Sequence, residues 1–206
     1  MTIYAWHFSN GFLANGDGRK IVPGMALACN PEDIALCEKG FHASRNILDA
    51  LQYANSNVLS YVACEGRVIE GDNKLVCSQR RHLVVADIAN TLHEFACWCA
   101  EQALALIDNP DPRSIAAIEA KRKWLRGEIG DDQLAAAFDA AGAAAGAAAR
   151  DAAWAATRAA AWAAAWAAAG AAAGAAAWAG ARGAQNAQLT AMVFALPKFP
   201  IRQEKQ

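Results

Sequence analysis

The sequence predicts an α+β fold, with a small mixed domain at the N-terminus followed by an all-helical, alanine-rich C-terminal region. Three observations lead to this prediction. In residues 1–107, short runs of β-branched and aromatic residues alternate with turn signals and with two or three helical segments. Two prolines in residues 109–112 then interrupt the chain, because neither can continue a helix. Alanine, the strongest helix former, dominates the chain after these prolines.

The same signals divide the chain into four segments. We expect a ligand-binding domain at 1–107, a linker with a short helix at 108–132, an alanine-rich helical arm at 133–196 and a tail at 197–206. The tail begins where prolines at 197 and 200 stop the helix.

Several strands are predicted in the first segment. Residues 3–8 and 58–64 are rich in strand formers, and Gly66 predicts a bend or bulge before Val68 extends the second strand. Residues 75–77 and 83–87 predict two further short strands. The three basic residues between them, Arg80, Arg81 and His82, predict a solvated turn, with a phosphate-binding cluster as the alternative.

Helices are predicted from apolar residues at helical spacing. Such spacing covers 46–53 and 91–107, and residues 113–126 form a third helix with Ser114 as its candidate cap. Asn30, followed by Pro31, marks another helix start.

The alanine-rich arm carries a marker residue at every fourth position from Phe138 to Asn186. Because four residues advance about 400° around a helix, the markers drift by about 40° per step and hold no single face. This drift predicts a break near a glycine pair, with packing through tryptophan, and a homo-oligomer assembled by the helical region. A spacer that arose by repeat expansion is the open alternative.

Composition excludes some classes of function. The net charge of −1 gives no basic field, so we expect no nucleic-acid partner. Residues 1–7 lack the features of a signal peptide, and the six cysteines lack a regular spacing, so we expect free thiols and a cytoplasmic location. Residues 159–181 carry no charge, but alanine and glycine give little insertion energy, so no membrane span is expected.

The most suggestive short motif is Gly40-Phe41-His42-Ala43-Ser44. In an extended segment His42 and Ser44 share one face, and a helix that starts near Asn46 would offer backbone N–H groups to a phosphate. The motif therefore predicts a nucleotide-type pocket. In the alternative interpretation Ser44 caps the helix and His42 bonds a carbonyl group.

Other residues are candidates for the same site. Tyr53, Arg80 and Arg81 are further candidate ligand-binding residues, and the carboxylate of Glu70, beside the Gly71 turn, could act as a base or bind a ribose hydroxyl. His93 and Cys97 have the i, i+4 spacing of metal ligands, but only two ligands converge there. We therefore expect core thiols and no metal site.

The order of these motifs resembles that of an uncharacterised family found mainly in phages, prophages and bacterial genomes. The resemblance is carried by six stretches, residues 6–8, 40–44, 49–54, 66–76, 93–96 and 124–129. It implies a G-[FL]-H-A-S motif and an alanine-tryptophan helical tract, and it brings no established activity.

The N-terminal half is also similar to small ADP-ribosyltransferase folds. The similarity lies in an early histidine, the G-x-H-x-S run, the Ala-x-x-Tyr-Ala helix that contains Tyr53, and a strand that leads into an acidic turn. It implies that His7 holds the ribose of NAD and that an acid such as Glu70 drives catalysis with His42 nearby. His7 is followed by Phe8 and Ser9, not by the Gly-Thr of those folds.

Three functions follow as expectations. The first is a phage-type accessory protein that binds a nucleotide-like small molecule or a host protein, counters host defence and needs no obligatory cofactor. The second is an ADP-ribosyltransferase-like enzyme that uses NAD or a related nucleotide, with His7, His42 and Glu70 as catalytic candidates. The third is a structural or scaffold protein that acts through its helical tract.

Overall fold

The computed structural model describes residues 1–13, 18–143 and 180–199. Their contacts define two compact units. Residues 1–92 with 185–206 form what we call the sheet unit, and residues 93–184 form the helical unit. The α+β class is confirmed, because one five-stranded antiparallel sheet is combined with helices. The four predicted segments remain a prediction.

The sheet has the strand order β1-β4-β5-β2, and β3 pairs with β5. Its strands are β1 (Ile3–Ser9), β2 (Ala26–Ala28), β3 (Phe41–Ala43), β4 (Val58–Glu70) and β5 (Leu75–Asp87). The helices are α1 (Ile47–Leu51), α2 (Ala89–Leu104) and α3 (Pro112–Leu125), with helical residues also at 131–143 and 180–194. A 3-10 turn, Pro31–Asp33, is capped as predicted, since the Asn30 side chain accepts a hydrogen bond from the Glu32 amide.

The long β4–β5 hairpin forms the centre of the sheet. The bulge predicted at Gly66 is confirmed by a register shift between Glu65 and Val68. Gly66 has φ +73°, and a Cβ there would lie 2.3 Å from Ser78 Oγ, so the bulge requires glycine.

The predicted break between two short strands is wrong, because β5 runs without interruption from Leu75 to Asp87. Arg80 and Arg81 pair with β4 on one side and with Leu27 and Ala26 of β2 on the other. Pairing on both sides therefore overrides the weak strand preference of these polar residues. The correction matters for function, because it places Arg80 and His82 inside the sheet.

Both faces of the sheet are covered within the sheet unit. One face carries a core of small and aliphatic residues: Ile3, Ala5, Ala43, Val62, Cys64, Leu75 and Cys77. On the other side, Trp6 and Tyr61 pack against Phe194, which follows the buried Leu189 and Val193 on the last helix. The last described residues thus complete the core of the sheet unit, which the sequence analysis did not expect.

The helical unit contains most of α2 and all of α3. Helix α3 begins at Pro112, and the side chain of Asp111 accepts from the Arg113 amide, so Asp111 is the cap and the prediction of Ser114 is wrong. The guanidinium of Arg122 bonds two carboxylates on α2, those of Glu94 and Glu101. These ion pairs join the two helices.

Several predictions fall outside the described residues. They are the break near a glycine pair, the packing of the tryptophans in residues 154–178, and nearly all of the uncharged stretch 159–181. Among the helices that the structure describes, none combines the length and the apolar character that crossing a membrane requires.

Candidate functional site

Two adjoining cavities lie against the sheet, and both lie within the sheet unit. The larger has a volume of about 510 Å³, within the usual range for small-molecule sites, and the smaller has about 220 Å³. They share four wall residues: His7, Phe8, His42 and Tyr53. The larger cavity also contains Arg80, and the smaller contains Ser44 and Lys74.

Arg80 lies at the wall of the larger cavity in an unusual state for an arginine. Its residue is only 6% exposed, and it has no carboxylate partner among the residues that the structure describes. Nη1 donates to the His42 carbonyl oxygen at 2.9 Å, while Nε is buried without a partner. Burial lowers the pKa of Arg80 to about 10, so the side chain is still a cation at neutral pH.

The unpartnered polar atoms of the described residues cluster around this arginine. Besides Arg80 Nε, the buried side-chain atoms without a partner are Ser60 Oγ and both ring nitrogens of His82. Ser60 pairs with His7 across β1 and β4, and the rings of His7 and His82 lie 6.2 Å apart. Native proteins leave few such atoms unsatisfied, and functional sites are one place where they occur.

The histidines of this patch are neutral. Burial, reinforced by the charge of Arg80, lowers the pKa of His82 to about 3 and holds the pKa of His7 well below its usual value. Because a neutral imidazole both donates and accepts hydrogen bonds, His7 can do either at the cavity wall. Arg80 is therefore the cation at the centre of this patch, and Arg19 is the other basic side chain that lines the larger cavity.

His42 has a structural role that the motif did not reveal. Its Nε2 accepts the backbone N–H of Cys37 at 2.9 Å, and Cys37 has a left-handed φ of 71°. Burial, followed by the charges of Lys74 and Arg80, lowers the pKa of His42, so Nε2 stays free to accept. Gly40, before the motif, has φ +112°, and a Cβ there would lie 2.6 Å from Val76 Cγ2. The His42 ring thus fixes the Cys37 loop beside the smaller cavity.

Tyr53 stands where both cavities meet. Its hydroxyl bonds Asn73 Oδ1 at 2.8 Å, and the ammonium of Lys74 lies 4.6 Å from the centre of its ring. These two contacts hold a half-exposed aromatic ring at the cavity mouth. Such a ring can stack on a planar ligand group.

The phosphate site predicted at a helix start falls at α1 and stays a prediction. Helix α1 has five residues, and the amide of Leu48 already donates to the side chain of Asn186. Ser44 does not cap this helix, because the cap position is Asn46, and the backbone of Ser44 exchanges two hydrogen bonds with Trp6. The extended conformation of the motif is confirmed by β3, while the Leu48 amide at the start of its helix is already bonded.

The structure does not bring two of the predicted site residues to the cavities. Glu70 is half-exposed and bonds Arg45 through both carboxylate oxygens, at 2.8 and 2.9 Å. Arg81 is exposed and lines neither cavity, although its neighbour Arg80 does. Of the predicted set, His7, His42, Ser44, Tyr53 and Arg80 line a cavity.

Lys74, Cys37 and Phe41 also belong to the site, although no sequence pattern indicated them. Lys74 lies at the turn predicted at Gly71, and that turn is confirmed, since the Gly71 amide donates to the Lys74 carbonyl oxygen at 2.8 Å. The guanidinium of Arg80 lies 5.4 Å from the centre of the Phe41 ring. These contacts join distant strands, so no local pattern could have revealed them.

Among the described residues, His93 and Cys97 belong to no group of three potential metal ligands. His93 packs its ring edge against Trp124, 5.7 Å between centres, and Cys97 is buried. Within the described ranges, no group of three or more histidine, cysteine or acidic side chains could hold a metal ion.

Comparison with known proteins gives one match. Residues 18–94 match a family described as a domain of unknown function (DUF7666). The matched region contains β2 to β5, and so includes His42, Tyr53, Lys74 and Arg80, while His7 lies outside it. This match is consistent with the predicted resemblance to an uncharacterised family, while the family's motif and its phage origin remain predictions. No curated protein and no solved structure matched the chain.

Proposed function

We propose that the sheet unit is a binding module for a nucleotide-like small molecule with an anionic group. The observation that carries the proposal is Arg80, a buried cation without a carboxylate partner among the described residues, at the wall of a 510 Å³ cavity. Burying an unpaired charge is costly, and an anionic ligand group offsets that cost by completing the pair.

The remaining wall suits the rest of such a ligand. Phe12 and Tyr53 present half-exposed rings at the cavity, and Phe41 lies beneath the Arg80 guanidinium. Aromatic faces stack on nucleobases at about 1–3 kcal/mol per base. No acidic side chain appears among the described residues that line either cavity, so nothing there repels an anion.

In a phage setting this module would sequester a nucleotide signal of the host and so counter host defence, with the helical region assembling several copies. A host protein as the partner and a purely structural role are the competing proposals. The position of Arg80 favours the small molecule, because it is buried at the wall of a cavity whose volume suits a small-molecule ligand.

An ADP-ribosyltransferase-like enzyme using NAD is a second candidate, favoured by the position of His7 and His42 on both cavities. Its proposed acid, Glu70, lies outside them and is paired with Arg45. The enzyme predicts that incubation with NAD releases nicotinamide and that His42→Ala abolishes the release, while the binding module predicts no turnover and intact ligand.

Titration calorimetry at low salt tests the binding proposal. Wild-type protein, Arg80→Met and Arg81→Met are titrated with the four nucleoside 5′-monophosphates, with adenosine and with inorganic phosphate. The two variants lose the same charge from adjacent positions, one at the cavity and one exposed. We expect wild type and Arg81→Met to bind a monophosphate with equal affinity, and Arg80→Met to bind at least tenfold more weakly.

Two results contradict this proposal. One is that none of the monophosphates binds wild type. The other is that Arg80→Met binds as tightly as Arg81→Met, which places any nucleotide away from the cavity.

A further inference from the structure

The two cavities share a wall but hold different cations. Arg80 and Arg19 line only the larger cavity and Lys74 only the smaller, while His42 and Tyr53 border both. Arg80 and Lys74 both act on the His42 ring, since the charge of each lowers its pKa. One molecule that occupies both cavities would therefore meet a positive charge on either side of His42.

Arg80 and Lys74 each lie over the face of an aromatic ring. The Arg80 guanidinium lies 5.4 Å from the centre of the Phe41 ring, and the Lys74 ammonium lies 4.6 Å from the centre of the Tyr53 ring. In each cavity a cation thus rests on an aromatic face, which holds it by a cation–π contact. Each half then offers a charge for an anion and an apolar surface beside it.

Neither cation has a carboxylate partner among the described residues. Among the described residues, the ion pairs involve other bases, such as Lys39 with Asp33 and Arg45 with Glu70. Lys74 instead reaches the thiol of Cys37, at the loop that His42 fixes. The smaller cavity has a volume of about 220 Å³, which is below the usual size of a complete small-molecule site. It therefore suits one part of a ligand whose remainder lies in the larger cavity.

We infer that the two cavities form one site for a nucleotide with two separate phosphate groups, one bound at Arg80 and the other at Lys74. This inference rests on the proposed function and names its ligand class. A nucleoside 3′,5′-bisphosphate has this arrangement, whereas a nucleoside diphosphate carries both phosphates at one end.

The test uses three adenosine nucleotides and three single variants of the full chain. Affinities for adenosine 5′-monophosphate, 5′-diphosphate and 3′,5′-bisphosphate are measured by calorimetry for wild type, Arg80→Met, Lys74→Met and Lys123→Met. Lys123 lies on α3 of the helical unit and is exposed, so its variant controls for the loss of one positive charge.

We expect wild type to bind the bisphosphate at least tenfold more tightly than the other two nucleotides. Lys74→Met should lose that tenfold advantage while its affinity for the monophosphate stays within about twofold of wild type. Arg80→Met should bind all three nucleotides more weakly, and Lys123→Met should match wild type.

The possible failures are distinguishable. If Lys74→Met leaves the bisphosphate affinity unchanged, or weakens all three nucleotides equally, the two-phosphate inference is overturned while the binding function at Arg80 stands. If Arg80→Met binds every nucleotide like wild type, the proposed function fails and the inference fails with it. Circular dichroism of each variant confirms that a lost affinity is not a lost fold.

Discussion

Arg80 in the sheet unit is buried, whereas Arg122 in the helical unit is partly exposed, and their partners also differ. Arg122 bonds Glu94 at 3.2 Å and both carboxylate oxygens of Glu101. Arg80 has one bond to a neutral carbonyl oxygen and a buried Nε without a partner. Arg122 is satisfied by the fold itself, and Arg80 has no carboxylate partner among the described residues, which is why we propose that an anionic ligand completes its pairing.

The directions of their pKa shifts distinguish the structural arginine, Arg122, from the candidate binding group, Arg80. Hydrogen bonds from Arg122 lower the pKa of Glu101 and raise that of Arg122, as expected for a stabilising pair. Burial lowers the pKa of Arg80, as expected for a charge whose burial costs stability. Opposite shifts in two arginines of one chain therefore predict opposite effects of the same substitution.

The largest expected effect is on Arg80. A pKa lowered from 12.5 to about 10 corresponds to roughly 3 kcal/mol of unfavourable burial. Arg80→Met keeps most of the side-chain volume and removes the charge, so we expect the unfolding free energy without ligand to rise by up to roughly 3 kcal/mol. Urea denaturation at pH 7 measures this change in unfolding free energy. Arg81→Met is the control, and we expect its unfolding free energy to lie within about 0.5 kcal/mol of wild type. A fall in stability would instead make Arg80 a structural residue like Arg122.

The next effect is a pH dependence from His82. Its pKa in the fold is about 3, against an ordinary value of 6.5, so between these values the unfolded chain binds a proton that the folded chain does not. The unfolding free energy therefore stays level above pH 6.5 and falls on acidification, by roughly 2 kcal/mol from pH 6.5 to pH 5 for this residue alone. Urea denaturation across this range measures the slope.

His82→Leu provides the matched comparison for this slope. The variant should lose about one proton from the pH dependence, and the other three histidines, whose pKa values burial also lowers, should supply what remains: His7, His42 and His93. An unchanged slope in the variant would show that His82 does not stay neutral in the fold.

The smallest of the three effects is on Arg122. Arg122→Met removes the ion pairs between α2 and α3 and leaves two glutamates near each other, so we expect a loss of about 1 kcal/mol. The effect should shrink at high salt, because both carboxylates are partly exposed and screened. Thermal denaturation at low and high salt checks both points. Stabilisation by this substitution would remove the contrast with Arg80.

The fold could be predicted from the sequence where local patterns are strong. Strand formers marked β1 and the first half of β4, and Gly66 marked the bulge. The middle of β5 could not be predicted, since pairing with two neighbouring strands holds its polar residues there. The packing of Phe194 on Trp6 could not be predicted for another reason. The sequence of an alanine-rich helix does not indicate which distant surface of the fold it covers.

The candidate site was predictable in part. A histidine two residues after a glycine in an extended segment indicated His42, and the aromatic and basic residues Tyr53 and Arg80 were further candidates. Lys74 was not found, because its position at the smaller cavity depends on how the hairpin turn faces β3. Whether a cation such as Arg80 lacks a carboxylate is also a property of the folded chain, which sequence spacing does not encode.

The stability of the protein with and without nucleotide tests most directly whether an anionic ligand forms an ion pair with Arg80. The unfolding free energies of wild type, Arg80→Met and Arg81→Met are compared with and without the nucleoside 5′-monophosphate that binds wild type best, at one hundred times its dissociation constant. We predict that Arg80→Met is the most stable of the three without nucleotide, and that the nucleotide adds about 2.7 kcal/mol to wild type and Arg81→Met but little to Arg80→Met. Two results would contradict the proposed role of Arg80 in binding an anion. One is that the nucleotide raises the unfolding free energy equally in all three proteins, and the other is that Arg80→Met without nucleotide is less stable than wild type.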